Sequence, residues 1–151
     1  MSSNYVTLLN GVTNAVTALG LQANATTIPV SLQMEPSARG WQVLPLIEIS
    51  PIPGGRWQKL FGQSWRIPYG VQVALLVAGN QDLVTQLANS INLRAKIMRL
   101  LGEPPNLVPY GVQSVTSVDI SEEDPFDKSL IPENYAATAI GFTFTCLEDH
   151  Y

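Results

Sequence analysis

The sequence predicts an α+β fold: a mostly antiparallel sheet packed by an N-terminal helix and one long helix, with a projecting hairpin arm. Apolar residues recur at the helical i, i+3, i+4, i+7 spacing in two stretches and alternate with period two in several others. Turn-rich segments separate the strands, which favours antiparallel neighbours with helices on one sheet face. Hydrophobic residues make up 46% of the chain, enough for a packed core and incompatible with wholesale disorder. The 151 residues show no break in composition, which fits a single domain spanning 1–151.

Tyr5, Leu8, Leu9, Val12, Val16 and Leu19 form the stripe of the first helix, with Ser2, Ser3 or Asn4 placed to cap it and Gly20 to end it. Residues 21–27 read as a short polar connector. Ile28, Val30, Leu32 and Met34 then alternate with Pro29, Ser31 and Gln33, giving a strand with its proline at the start or at an edge. Residues 35–40 read as a turn. Trp41, Val43, Ile47 and Ile49 line one face of the next strand and Leu44 and Leu46 the other, so it is expected to be covered on both sides. Ser50-Pro51-Ile52-Pro53-Gly54-Gly55 is expected to stop it, because both prolines lack a donor.

The strongest strand pattern runs through Trp65, Ile67, Tyr69, Val71, Val73, Leu75 and Val77. At ~3.3 Å per residue it extends ~40 Å, longer than most strands. Pro68 and Gly70 mark a bend or an exposed edge in its first half, consistent with a hairpin arm leaving the body. Asn80 is a good cap for the long helix, whose stripe is Leu83, Val84, Leu87, Ile91, Ile97, Met98 and Leu101. Gly102 and Pro104-Pro105 end it, and Arg94, Lys96 and Arg99 lie in the half where the helix dipole favours cations. Val112, Val115, Val118 and Ile120 mark a further strand. Ala136, Thr138, Ile140, Phe142, Phe144 and Cys146 form the inner face of the last one, with Gly141, Thr143 and Thr145 facing outward.

Charged residues are only 13% of the chain, against a typical figure of about 25%. Eight Lys/Arg against twelve Asp/Glu leave a net charge of −4, which argues against a dedicated nucleic-acid binder. A small monomer normally carries more charge to stay unassociated, so so much uncharged surface points towards burial in an assembly. One cysteine excludes an intramolecular disulfide, and one cysteine plus one histidine fall short of a structural zinc site; no cofactor is expected. No apolar run approaches the ~20 residues of a membrane span. The N-terminus has no basic residue before its apolar positions, which argues against a secretory signal and for a product made in a reducing cytoplasm.

Candidate chemistry is sparse. His150 stands one residue from the chain end, where a catalytic base would lack held geometry. Cys146 alternates onto the apolar face, where a thiol is inert. Asp119, Glu122, Glu123, Asp124 and Asp127 hold five of the twelve carboxylates, but without the spacing that wraps calcium. A solvated loop is one reading of that segment; the lining of a passage that repels DNA phosphates is another. Gly54-Gly55-Arg56 lacks the Gly-Lys-Ser/Thr ending of a phosphate loop.

Residues 56–66 carry the densest signal. Arg56, Trp57, Lys59, Phe61, Trp65 and Arg66 place three aromatic rings and three cations between a Pro/Gly stop and the long strand. Single-stranded nucleic acid stacks on such sets. Trp and Arg are also the favoured anchors of protein interfaces. The third possibility is a loop folded back on the core with Trp65 buried.

The order of elements resembles the tail-terminator or tail-completion proteins at the neck of long-tailed bacteriophages. The matching stretches are Tyr5–Leu19, Trp41–Ile49 with its Pro-rich end, Arg56–Val77, Gln81–Leu101 followed by Gly102-Glu103-Pro104-Pro105, and Tyr135–Leu147. The resemblance implies a non-enzymatic virion protein that forms a ring with itself, usually a hexamer. Such a ring sits on the last ring of tail-tube protein, stops tube growth and docks the head-completion or connector protein, while DNA passes through as cargo. It implies assembly in the host cytoplasm and residence in the virion tail or neck. Exposure and charge, rather than a family motif, place the 56–66 arm at a subunit boundary. The same grounds place Glu122, Glu123, Asp124 and Asp127 towards the lumen or the adjoining ring. The competing readings are another neck or tail component (a head-completion or stopper protein, a tail-tube or baseplate protein) and a cellular α+β ligand-binding domain.

Overall fold

A computed structural model describes residues 4–23, 26–33, 46–78, 83–121 and 135–149. The first helix, α1, spans Asn4–Ala18 and buries Leu8, Leu9, Val12, Ala15 and Val16. Leu19, expected on that stripe, lies just past the helix end and is partly exposed. Two short strands, β1 (Gln22–Ala23) and β2 (Thr26–Thr27), pair antiparallel where the sequence suggested only a connector. Their side of the chain is too short and too polar to give a periodic signal.

The main sheet contains β3 (Val30–Leu32), β4 (Leu46–Ile52), β5 (Gln58–Lys59), β6 (Ser64–Ala78), β7 (Val115–Ser121) and β8 (Tyr135–Asp149). Its order is β3-β4-β6-β8-β7, with β5 pairing β6 at one end. Every described pairing in it is antiparallel except β3 with β4, which is parallel. The expected turn at 35–40 would have made that pair antiparallel. The stretch from Leu32 to Leu46 instead has the length of roughly a dozen residues that a crossover needs. Trp41, Val43 and Leu44, assigned to this strand from the sequence, lie outside the described residues, as do Met34 and Asn80.

The expected stop at Ser50 does not occur: β4 runs through Pro51 to Ile52, opposite Val71 and Gly70. The Ile47 N–H donates to the Pro29 carbonyl and the Ile49 carbonyl accepts from the Gln33 N–H, so these alternate residues face β3. Pro51 continues that alternation. Its missing donor therefore ends the ladder to the edge strand β3 and leaves the ladder to β6 intact. Beyond Ile52 the chain passes very close to β6. A side chain on Gly54 would strike the Pro68 carbonyl oxygen, and one on Gly70 would strike that of Ile52. Only glycine permits this approach.

β6 and β8 pair along their whole length, from Ser64 opposite Asp149 to Ala78 opposite Tyr135. Their inward residues Val71, Val73, Leu75, Ile140, Phe142 and Phe144 are all buried. The second long helix, α2 (Leu83–Leu101), adds Leu93, Ile97 and Leu101 to the same core. Arg94, read from the sequence as a dipole-favoured cation, is buried at 3% exposure. Past Gly102 the prolines do more than terminate: Pro104–Tyr110 forms a 3-10 helix, closed by Gly111 at φ 87°. Its Leu107 is fully buried. One hydrophobic cluster joins α1, α2, the 3-10 helix and the inner sheet face. Ser50, Gln72, Ala74, Gly141 and Thr143 stand on the opposite face by strand alternation.

Candidate functional site: the aromatic hairpin

β5 and the start of β6 make a tight hairpin at the end of the sheet, with Gln58 opposite Arg66 and Lys59 opposite Trp65. The Leu60 N–H donates to the Ser64 carbonyl at 2.9 Å, and Gly62 takes φ 71° in the turn, a conformation glycine adopts without strain. Alternation sorts the side chains. Lys59 and Trp65 share the face that continues into the core, and Gln58 and Arg66 share the other.

Trp57 and Trp65 meet edge to face, with ring centroids 6.2 Å apart and planes at 71°. Trp65 is half-buried, while Trp57 is 56% exposed. On the other face the Arg66 guanidinium donates to Gln58 Oε1 at 3.2 Å. Leu147, opposite Arg66 on β8, adds an exposed apolar side chain there. Phe61 stands at the tip, 99% exposed. Arg56, Lys59 and Arg66 are all exposed. All six residues singled out in the sequence thus belong to one hairpin, and only Trp65 turns partly inward. Of the reading in which this loop folds back over the core, the half-buried Trp65 retains a part, while Trp57 and Phe61 stand exposed.

The base of the hairpin is anchored by a network that sequence reasoning missed. Glu148, opposite Trp65, is buried at 7% exposure, and its carboxylate accepts from the Tyr69 hydroxyl at 2.8 Å. Burial first, and then the adjacent Glu148 carboxylate, push the Tyr69 phenol well above its ordinary range. Tyr5 from α1 stacks on Tyr69 with centroids 4.7 Å apart. The Tyr5 hydroxyl donates to the Gly70 carbonyl at 2.5 Å and lies 3.2 Å from that of Ile52. A signal for Glu148 was present, since the alternation Phe142, Phe144, Cys146 extends by one step to place it inward.

The other candidates offer less. Cys146 is buried at 1% exposure, and burial pushes its thiol up to about 11, so it stays protonated at neutral pH. It borders a small cleft of about 170 Å³ with Asn4, Thr7, Gln113 and Ser114, none of which titrates near neutrality. No group of three metal-ligating side chains forms among the described residues. Asp119 is exposed on β7, and Glu122, Glu123, Asp124, Asp127 and His150 lie outside the described residues. No described helix is long and apolar enough to cross a membrane. No protein-family model matches the chain, and comparison with curated proteins finds no match.

Proposed function

We propose that this chain is a structural virion protein of a tailed bacteriophage. It forms a ring at the head–tail neck, terminates the tail tube and joins it to the head connector, while DNA passes through the lumen. It performs no catalysis. The observation that carries this reading is the hairpin, whose Trp57 and Phe61 present aromatic surface to solvent beside a strand paired with β8 along its whole length. Exposed aromatic rings flanked by arginine are the hallmark of an anchor awaiting a protein surface. The low charge content and net charge of −4 fit a conduit through which DNA slides without sticking. The element order adds the phage setting.

Truncation of the hairpin tests the assembly half of the proposal. Phe61→Ser and Trp57→Ala are expected to weaken self-association by ~2 kcal/mol or more, the scale of an interface anchor. Monomer stability in urea should change by less than ~1 kcal/mol, because these side chains are mostly exposed. Equal loss of stability with intact assembly would assign the residues to the fold instead. Labelling of intact particles then separates the neck from the tail tube, the baseplate and the stopper position.

A further inference from the structure

We infer that the hairpin docks on the β7 edge of a second copy of this chain, its cations against that copy's carboxylates. This rests on the reading of the hairpin as a subunit contact, and it names the surface that receives it.

The charges are segregated within the chain. Residues 56–66 hold three cations and no carboxylate, so the rest of the chain holds five cations and all twelve carboxylates. Hairpin against hairpin is repulsive, and hairpin against an acidic surface is attractive, which selects a contact between two different patches.

β7 has the properties of the receiving patch. Among the described strands it pairs only with β8, at the end of the sheet order. Val115–Ser121 contains neither lysine nor proline, but the irregularity between Val115 and Ser117 and the charge of Asp119 make side chains rather than backbone the means of recognition. Its Ile120 is 39% exposed, and Asp119 is exposed on the opposite face. Glu103, also exposed, follows Gly102, where a Cβ would lie 3.6 Å from Ile120 Cδ1. Carboxylates therefore flank an apolar centre, matching a hairpin whose cations flank aromatic rings.

One copy cannot satisfy itself. Asp119 lies opposite Thr143, which lies opposite Gly70, six residues along β6 from Ser64. At ~3.3 Å per residue that is a separation of roughly 20 Å, beyond the reach of the hairpin's own cations. Each copy thus offers a hairpin at one place and a receiving edge at another, and contacts of this kind form a ring when the rotation between copies closes and a filament when it does not.

The experiment is sedimentation velocity of the full chain at low and high salt with two charge-reversed variants, R56E/K59E and E103K/D119K, and their combination. All four side chains are exposed, and circular dichroism verifies that each variant folds. Each reversal alone is expected to weaken assembly at least ~10-fold at low salt, and the combination to return within ~3-fold of the starting chain. Added salt is expected to weaken the unmodified assembly. Indifference to R56E/K59E, or losses that add in the combination, would overturn the docking inference while leaving the ring proposal standing. A chain that never self-associates overturns both. Tight binding of an oligothymidine that is lost in R56E/K59E would assign the hairpin to nucleic acid and overturn the inference as well.

Discussion

Tyr5 and Tyr69 connect the first helix, the central strands and the end of the sheet through two stacked rings and two hydroxyls. Tyr69→Phe removes a donor from the Glu148 carboxylate in a site 7% exposed, and is expected to cost ~1–3 kcal/mol in urea unfolding. A change below ~0.5 kcal/mol would mean that Glu148 does not depend on that phenol. Cys146 makes a pH-dependent prediction. Burial first, with Glu148 adding, raises its thiol from 9.0 to about 11 in the folded chain. The folded state therefore holds the proton more tightly than the unfolded state, so this stability is complete below pH 9 and is lost as pH rises from 9 to 11. The loss amounts to ~2–3 kcal/mol at the top of that window. Tyr5 and Tyr69 are also raised, from 10.0, so their contributions fade only above pH 10. Melting temperature should decline from pH 9 upward, and Cys146→Ala should delay the onset to near pH 10. Identical slopes for the two proteins between pH 9 and 10 would exclude the thiol as the cause.

At the scale of elements, the direction of each backbone N–H decides where proline is tolerated. Pro51 faces β3 and ends only that ladder, whereas Ser50, one residue earlier, faces β6 opposite Gln72. Ser50→Pro is accordingly expected to cost ~2 kcal/mol or more by leaving the Gln72 carbonyl without its donor. Pro51→Val should stay within ~0.5 kcal/mol in the same thermal melts. Equal effects would contradict the assigned ladder. The same point explains what the sequence conveys and what it withholds. Long elements with strict periods, α1, α2, β6 and β8, are legible because one face of each is buried along many residues. The Pro51 continuation and the parallel β3–β4 pair are not legible, since both depend on which strand lies alongside. The 3-10 helix is hidden because Pro104, Pro105 and Pro109 read as breakers, although the missing donors of Pro104 and Pro105 suit its first turn and Pro109 is accommodated inside it. The hairpin residues stood out by composition, but their division between two faces required the β5–β6 register. Glu148 follows the alternation of β8, but a carboxylate is ordinarily solvated, so the pattern alone does not mark it as buried.

At the scale of the molecule, a core shared by both helices and the sheet leaves the hairpin as an addition that the fold does not need to cover. Phe61 and Trp57 expose aromatic surface on a chain with only 13% charged residues. Such a surface is a liability for a solitary protein and an asset for one that assembles. The most direct measurement is native mass spectrometry of the full chain over a wide concentration range. A ring-forming protein gives one dominant closed species, expected to contain six copies, whose stoichiometry does not grow with concentration. A chain that remains monomeric up to its solubility limit would contradict the proposal.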